Sequence, residues 1–275
     1  VTHYEVEHQR SPGAPGGLGR HVNHDPQSRA FAHQPSSTTL VSKTWDRHYP
    51  VLDQGQTGSC TGNAMLGSVY TGKVYEALTD ALKASLQPTE AVARDVLYHL
   101  ATTLDPYNGT YPPTDTGSDG VSVNKAAQGL GLISGYRHTF SLDDALATVS
   151  NDSHVITGVN WYAAFDQPDA NGLVKLPKRL TGLEGGHEFL VYGLDAEKDL
   201  VLARNSWGTG WGVAGEFKFS FTDWGTLLSH DGDVTVPVPL TAPAPTPVPS
   251  PGAPDWLDRL KADFATAVAW IEAHL

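Results

Sequence analysis

A second cysteine is missing from these 275 residues. Cys60 has no disulfide partner within the chain, and a structural zinc site built on several thiolates is excluded. Basic residues are also scarce: 18 Lys and Arg stand against 30 Asp and Glu, for a formal net charge of −12. Nucleic-acid binding needs a basic surface to neutralise phosphates, so that partner class is set aside. No stretch comes near the roughly 20 apolar residues that span a bilayer. Val1 to Arg20 is polar with many Gly and Pro and lacks the apolar block of an export signal. A soluble chain is expected, cytoplasmic or virion-associated; because it begins at Val1, a trimmed export signal stays open.

The remaining composition, 40% hydrophobic, suffices for one substantial domain or for two lobes sharing a cleft. Residues 1–44 are rich in Gly, Pro, Ser, His and Gln without sustained period, which predicts an irregular arm outside the catalytic core. Its histidines (His3, His8, His21, His24, His33) lack convincing ligand spacing, so no metal site and no cofactor are expected. From Thr61 to Leu86 apolar residues recur at near-helical spacing, interrupted by Gly67 and Gly72. Further helices are predicted over Thr89–Leu104 and Ser122–Leu130, separated by a Pro/Gly/Asp/Tyr loop. Short β-type runs follow at Val155–Trp161, Glu188–Leu194, Leu200–Arg204 and Glu216–Phe221. Helices first and strands afterwards predict an α+β molecule: an N-terminal helical lobe packed on a C-terminal antiparallel β lobe, with a ligand groove between them. Residues 237–254, crowded with proline, read as an extended linker. Residues 255–275 carry Leu257, Leu260, Phe264, Val268, Ile271 and Leu275 in one stripe, an amphipathic helix that docks either back on this chain or on another.

A solitary cysteine is by default a small buried hydrophobe. The neighbours of Cys60 change that reading. Asp53-Gln54-Gly55-Gln56-Thr57-Gly58-Ser59-Cys60 is a Gly-punctuated loop delivering the thiol to the first turn of a helix, where unpaired backbone amides and the positive helix end favour thiolate. Gln54 can turn its amide toward the site and, with the Cys60 N–H, supply two donors to a developing oxyanion. Among twelve histidines, His187 stands out because it follows Gly185-Gly186 and opens the apolar run Glu188–Tyr192. If Leu194 faces Leu200 across the following turn, Phe189 lies opposite Asn205. His187 and Asn205 then share one rim of a hairpin, where the amide can orient the imidazole.

Gln54-Gly-x-x-Gly-Ser-Cys60, Gly-Gly-His187 and Asn205-Ser206-Trp207-Gly208-Thr209-Gly210-Trp211-Gly212, in that order, resemble the papain-like cysteine peptidases. The intervals of 127 and 145 residues from Cys60 to His187 and Asn205 sit at or close to those of the family. The resemblance covers about 45–236 and implies a two-lobed papain-like fold. It also implies peptide-bond hydrolysis through a thioester, Gln54 as oxyanion donor, and Trp207 shielding the Asn205–His187 hydrogen bond. By analogy Asp119, Gly120 and Gly186 line the substrate groove. Thr57 and Thr61 stand where the common pattern has Cys and Trp, which is similar to disulfide-free members from bacteria and their viruses. The helical inhibitory propeptide usual in the family is not recognisable, leaving its restraint unexplained. Two alternatives stay open: a papain-shaped structural or binding subunit of a larger assembly such as a phage particle, and an acyl transferase or cell-wall amidase using the same residues.

Overall fold

The computed structural model describes residues 2–240; the helix read at 255–275 and most of the proline-rich segment lie outside the described residues. In chain order, β1 (Thr2–Tyr4) and β2 (Val22–His24) pair with each other, and β3 (Lys43–Thr44) follows. Next come α1 (Cys60–Val69), α2 (Gly72–Ala77), α3 (Asp80–Ser85) and α4 (Glu90–Val92). A π-helical stretch, Ala93–Tyr98, runs into α5 (His99–Leu104), and α6 (Gly120–Gly129) completes the helical lobe. The second half contains β4 (Gly135–His138), α7 (Leu142–Asn151), β5 (Val155–Tyr162), β6 (Leu183–Asp195), β7 (Leu200–Arg204), β8 (Glu216–Ser220), α8 (Phe221–Ser229) and β9 (Asp233–Val238).

The strands form an antiparallel sheet in the order β4-β9-β5-β6-β7-β8, with β3 on the end of β6. Strand side chains alternate between faces. Phe189 and Val191 accordingly join Val155, Trp161, Leu146 and Trp224 in one core, while Leu190 joins Ile156, Met65, Leu66 and Leu97 in the other. Lobe and sheet thus share a seam along β5 and β6. The α+β architecture read from the sequence is the one observed.

Local differences have local causes. The long helix predicted from Thr61 breaks into three, because Gly72 adopts φ +49 and Thr79 caps α3 by accepting from the Leu82 amide. All ten residues of α1 are buried, and Gly62, one of its two glycines, permits contact with the π stretch. A Cβ on Gly62 would collide with the Ala93 carbonyl and stand 2.8 Å from Tyr98 Cβ. Gly62→Ala is therefore expected to cost about 1–3 kcal/mol of stability, read as a lower urea midpoint at unchanged slope.

Two boundaries also move. β9 pairs Pro237 with Tyr136 and Val238 with Gly135, so the sheet extends two residues into the segment assigned to the linker. The N-terminal arm is not peripheral: Leu18, Arg20, His21 and Val22 are buried, and their segment runs between the lobes. Its glycines and prolines suggested an unpacked chain because nothing local orders it; its order comes from the walls on either side.

Candidate active site

Cys60 opens α1 at the lobe seam, beside the His187–Glu188 peptide of β6. On β6 itself, His187 Nε2 is 2.7 Å from Asn205 Oδ1, which also accepts from the Ser206 amide at 2.8 Å. With Asn205 Oδ1 as acceptor, Nε2 carries the ring proton, and Nδ1 is buried without a partner. The Trp207 and Trp161 rings lie 4.8 Å from the imidazole, the first tilted over it and the second edge-on.

The hairpin carrying these two residues has an unexpected register near its turn. Asp195 pairs with Leu200 and Leu194 with Val201, one residue away from the pairing assumed. An irregularity between Val191 and Gly193 then shifts the strands back, so that Leu190 faces Arg204 at the active rim. Two offsets cancel, and the expected neighbourhood of His187 and Asn205 results.

Gln54 is fixed through both its side chain and its main chain. Its Oε1 accepts from Ser206 Oγ at 2.6 Å and its amide N–H bonds to the Ser206 carbonyl at 2.9 Å. Its Nε2 donates to the Thr57 carbonyl at 2.7 Å and to the Gly17 carbonyl at 3.2 Å, the latter also approached by Trp207 Nε1 at 3.3 Å. The predicted oxyanion donor is thus engaged by a carbonyl from the N-terminal arm.

That arm crosses the groove as a strap. Gly17 N–H bonds to Gly55 O at 2.8 Å; the amides of Gly19 and Arg20 both donate to Gly186 O, at 3.2 and 3.0 Å. On the opposite wall Ser118 N–H donates to Gly19 O and His21 N–H to Ser118 O, each at 2.8 Å. A Cβ on Gly16 would collide with the Trp207 ring, one on Gly17 with Thr57 O, one on Gly19 with Gly58 O. The wall is equally bare, since a side chain at Gly186 would meet Arg20 O. At Gly17, Gly19 and Gly186 glycine faces main chain, and at Gly16 it faces the Trp207 ring. Of the predicted groove residues, Gly186 and Gly120 do line the passage, whereas the Asp119 carboxylate caps α6 through the Ser122 amide and hydroxyl at 2.9 and 3.0 Å. Ser118, in the same stretch, also lines it, and so do Glu188 and Asp233, which were not singled out from sequence. A signal existed in Gly16-Gly17-Leu18-Gly19, glycines placed for close approach.

The strap sets the electrostatics. Cys60 and His187 have no measurable exposure. Burial, then the Glu188 carboxylate, pushes the thiol up to about 12, against the pull of backbone amides of Glu188, Gly19 and Thr61. Burial pushes the imidazole down to about 3. No hydrogen bond joins thiol and ring, and burial favours the neutral form of both, so the thiolate expected from the helix end is not the form held in this closed chain. The closed chain is expected to take up iodoacetamide at Cys60 far more slowly than the same chain unfolded in urea, as mass spectrometry of timed aliquots would show; equal rates would mean that the strap does not cover the thiol. Among the described residues no cluster of His, Cys, Asp or Glu is arranged to hold a metal ion, and no helix is long and apolar enough to cross a membrane.

No protein-family model and no curated protein matches the chain. Solved structures do. Xylellain, a cysteine protease from Xylella fastidiosa, aligns over 88% of this chain and 100% of its own, with TM-score 0.64 and 19% identity. Digestive procathepsin L 3 of Tenebrio molitor larval midgut aligns over 86% of this chain and 83% of its own, with TM-score 0.55 and 17% identity. At such identities it is the architecture that is shared: this chain has the two-lobed fold of the papain-like cysteine proteases.

Proposed function

We propose that the protein is a cysteine peptidase held closed by its own residues 16–21, hydrolysing peptide bonds once the strap leaves the groove. The observation that carries this reading is the His187–Asn205 hydrogen bond beneath Trp207, on the strand whose next residue, Glu188, brings its backbone N–H to Cys60 at the start of α1. With the groove hydrated, the burial that keeps thiol and ring neutral is relieved, and the helix end favours thiolate. The proton passes to His187 Nδ1, the nitrogen left without a partner. The sulfur attacks the carbonyl carbon while Gln54 Nε2 and the Cys60 N–H hold the oxygen; the C–N bond then breaks and His187 protonates the departing amine. Water, deprotonated by the same ring, releases the acid and restores the thiol. Asn205 orients the ring and Trp207 keeps water from their hydrogen bond. Gly186 and the stretch Ser118–Gly120 bind the peptide main chain, as they bind the strap.

The strap itself is not offered for cleavage. Attack requires one carbonyl to meet both the sulfur and Gln54. The carbonyl on Gln54 belongs to Gly17, whereas the group pointing at the sulfur is the Gly19 amide, two residues on.

The test is mass spectrometry of a mixed peptide library incubated with the chain and with Cys60→Ala, with and without an added amine. Hydrolysed products from the first alone support the reading. Equal processing by both would favour a papain-shaped binding subunit, and amine-capped products a transferase.

A further inference from the structure

Arg20 is the part of the strap that main-chain pairing does not explain. Its guanidinium is fully buried, bonded through Nη2 to the Asp233 carboxylate and, at 2.6 Å, to the Asp231 carbonyl. Glu188, adjacent to His187 in sequence and equally buried, has neither carboxyl oxygen in a hydrogen bond; burial and the neighbouring Asp233 push its pKa up while the Arg20 guanidinium pulls it down. Two glycines make the space. A Cβ on Gly158 would stand 2.5 Å from Arg20 Nε, 2.8 Å from Glu188 Oε2 and 2.9 Å from Asp233 Oδ2. One on Gly120 would stand 2.7 Å from Glu188 Oε1 and 3.1 Å from Asp233 Oδ1.

We propose that the pocket formed by Glu188, Asp233, Gly120 and Gly158 takes an arginine side chain of the substrate peptide, with Arg20 as the chain's own occupant of a specificity site. The inference rests on the peptidase reading and adds a substrate class to it. When the strap leaves, Arg20 leaves with it, and Asp233 and the unpartnered Glu188 lose the guanidinium that they share. Such a state is costly, and a guanidinium from an incoming peptide relieves it. The groove walls contact main chain and accept any sequence; the pocket reads a side chain. A planar fork suits it better than an ammonium, because one nitrogen already reaches both the Asp233 carboxylate and the Asp231 carbonyl, and Nε and Nη1 remain as buried donors in a pocket where both Glu188 oxygens are without partners. Since Gly19 lies over Cys60 and Arg20 is the next residue, the recognised arginine falls within two residues of the bond that is cut.

Two measurements on the full chain test this. In the peptide-library assay, arginine at one position near the cut is expected to be preferred over leucine by at least about tenfold, a preference that Glu188→Gln and Asp233→Asn each largely remove. A flat profile, or a preference surviving both substitutions, overturns the proposal. The second readout needs no activity: Arg20→Ala is expected to gain thermal stability from millimolar ethylguanidinium, more than from ethylammonium, while the parent chain and Arg20→Ala/Glu188→Gln gain none. If Arg20→Ala folds only when ethylguanidinium is present, the pocket is supported; if the cation neither stabilises nor refolds it, the pocket is refuted. Rescue without any peptide cleavage would leave the pocket standing and the peptidase reading fallen. Cleavage without arginine preference would do the reverse.

Discussion

Gly19→Val in the full chain is expected to speed both peptide hydrolysis and the uptake of iodoacetamide by Cys60, by about 5- to 150-fold. The strap passes Gly19 so close to the opposite wall that even one carbon there collides with the Gly58 carbonyl. Overpacking of this kind costs about 1–3 kcal/mol, and each 1.4 kcal/mol is about tenfold in a population. That strain exists only while the strap is seated, so it raises the open fraction without touching a catalytic group. Gly135→Ala serves as control, because a side chain there finds nothing nearer than the Gln128 amide at 3.9 Å. If Gly19→Val left both rates at the parent value while Gly135→Ala did the same, the strap would not govern access to the sulfur.

A larger change in the other direction is expected from the reacting groups themselves. In the opened Gly19→Val chain, Cys60→Ala and His187→Ala should each lower kcat/KM by at least about 10⁴, and the double substitution should lower it little further, because nucleophile and base act as one unit. Asn205→Ala should cost less, since it removes only the partner at 2.7 Å that fixes the ring. A His187→Ala chain that kept about a tenth of the activity would remove the imidazole from proton transfer. Loss without unfolding is checked by the same urea midpoint used for Gly62→Ala.

Much of the site was legible because the chemistry demands particular residue types in a particular order. Gln54, Cys60, His187 and Asn205 each mean little alone, and their sequence of motifs pointed to the fold that the structural comparisons share. The hairpin was placed correctly at its active end although its turn was misaligned by one, since the irregularity at Tyr192 has no mark in the residue types. α7 went unassigned although Ser141 caps it and Ala145, Leu146 and Val149 recur on one side; its first turn of Asp143 and Asp144 resembles a turn as much as a helix start. The end of β8 was read too far because Phe221 has strand propensity, whereas the Ser220 hydroxyl, accepting from the Asp223 amide at 3.0 Å, starts α8 there.

The strap was the largest difference, and its cause is physical. Gly, Pro and His without period describe a chain that cannot order itself. The same glycines describe one that can lie flat against two glycine-lined walls, and only the walls distinguish the two cases. Glu188 was read simply as the polar start of a strand; its burial beside Arg20 depends on Gly158, thirty residues away in sequence and paired with it across β5 and β6.

β6 places His187 and Glu188 side by side, and neighbouring positions of a strand face opposite ways. One covalent step therefore separates the bond-breaking edge of the molecule from its reading edge. The strand is a ruler that cannot be lengthened, since one added residue would exchange the two. On the proposed reading, a substitution at position 188 re-addresses the scaffold without moving the imidazole beside it.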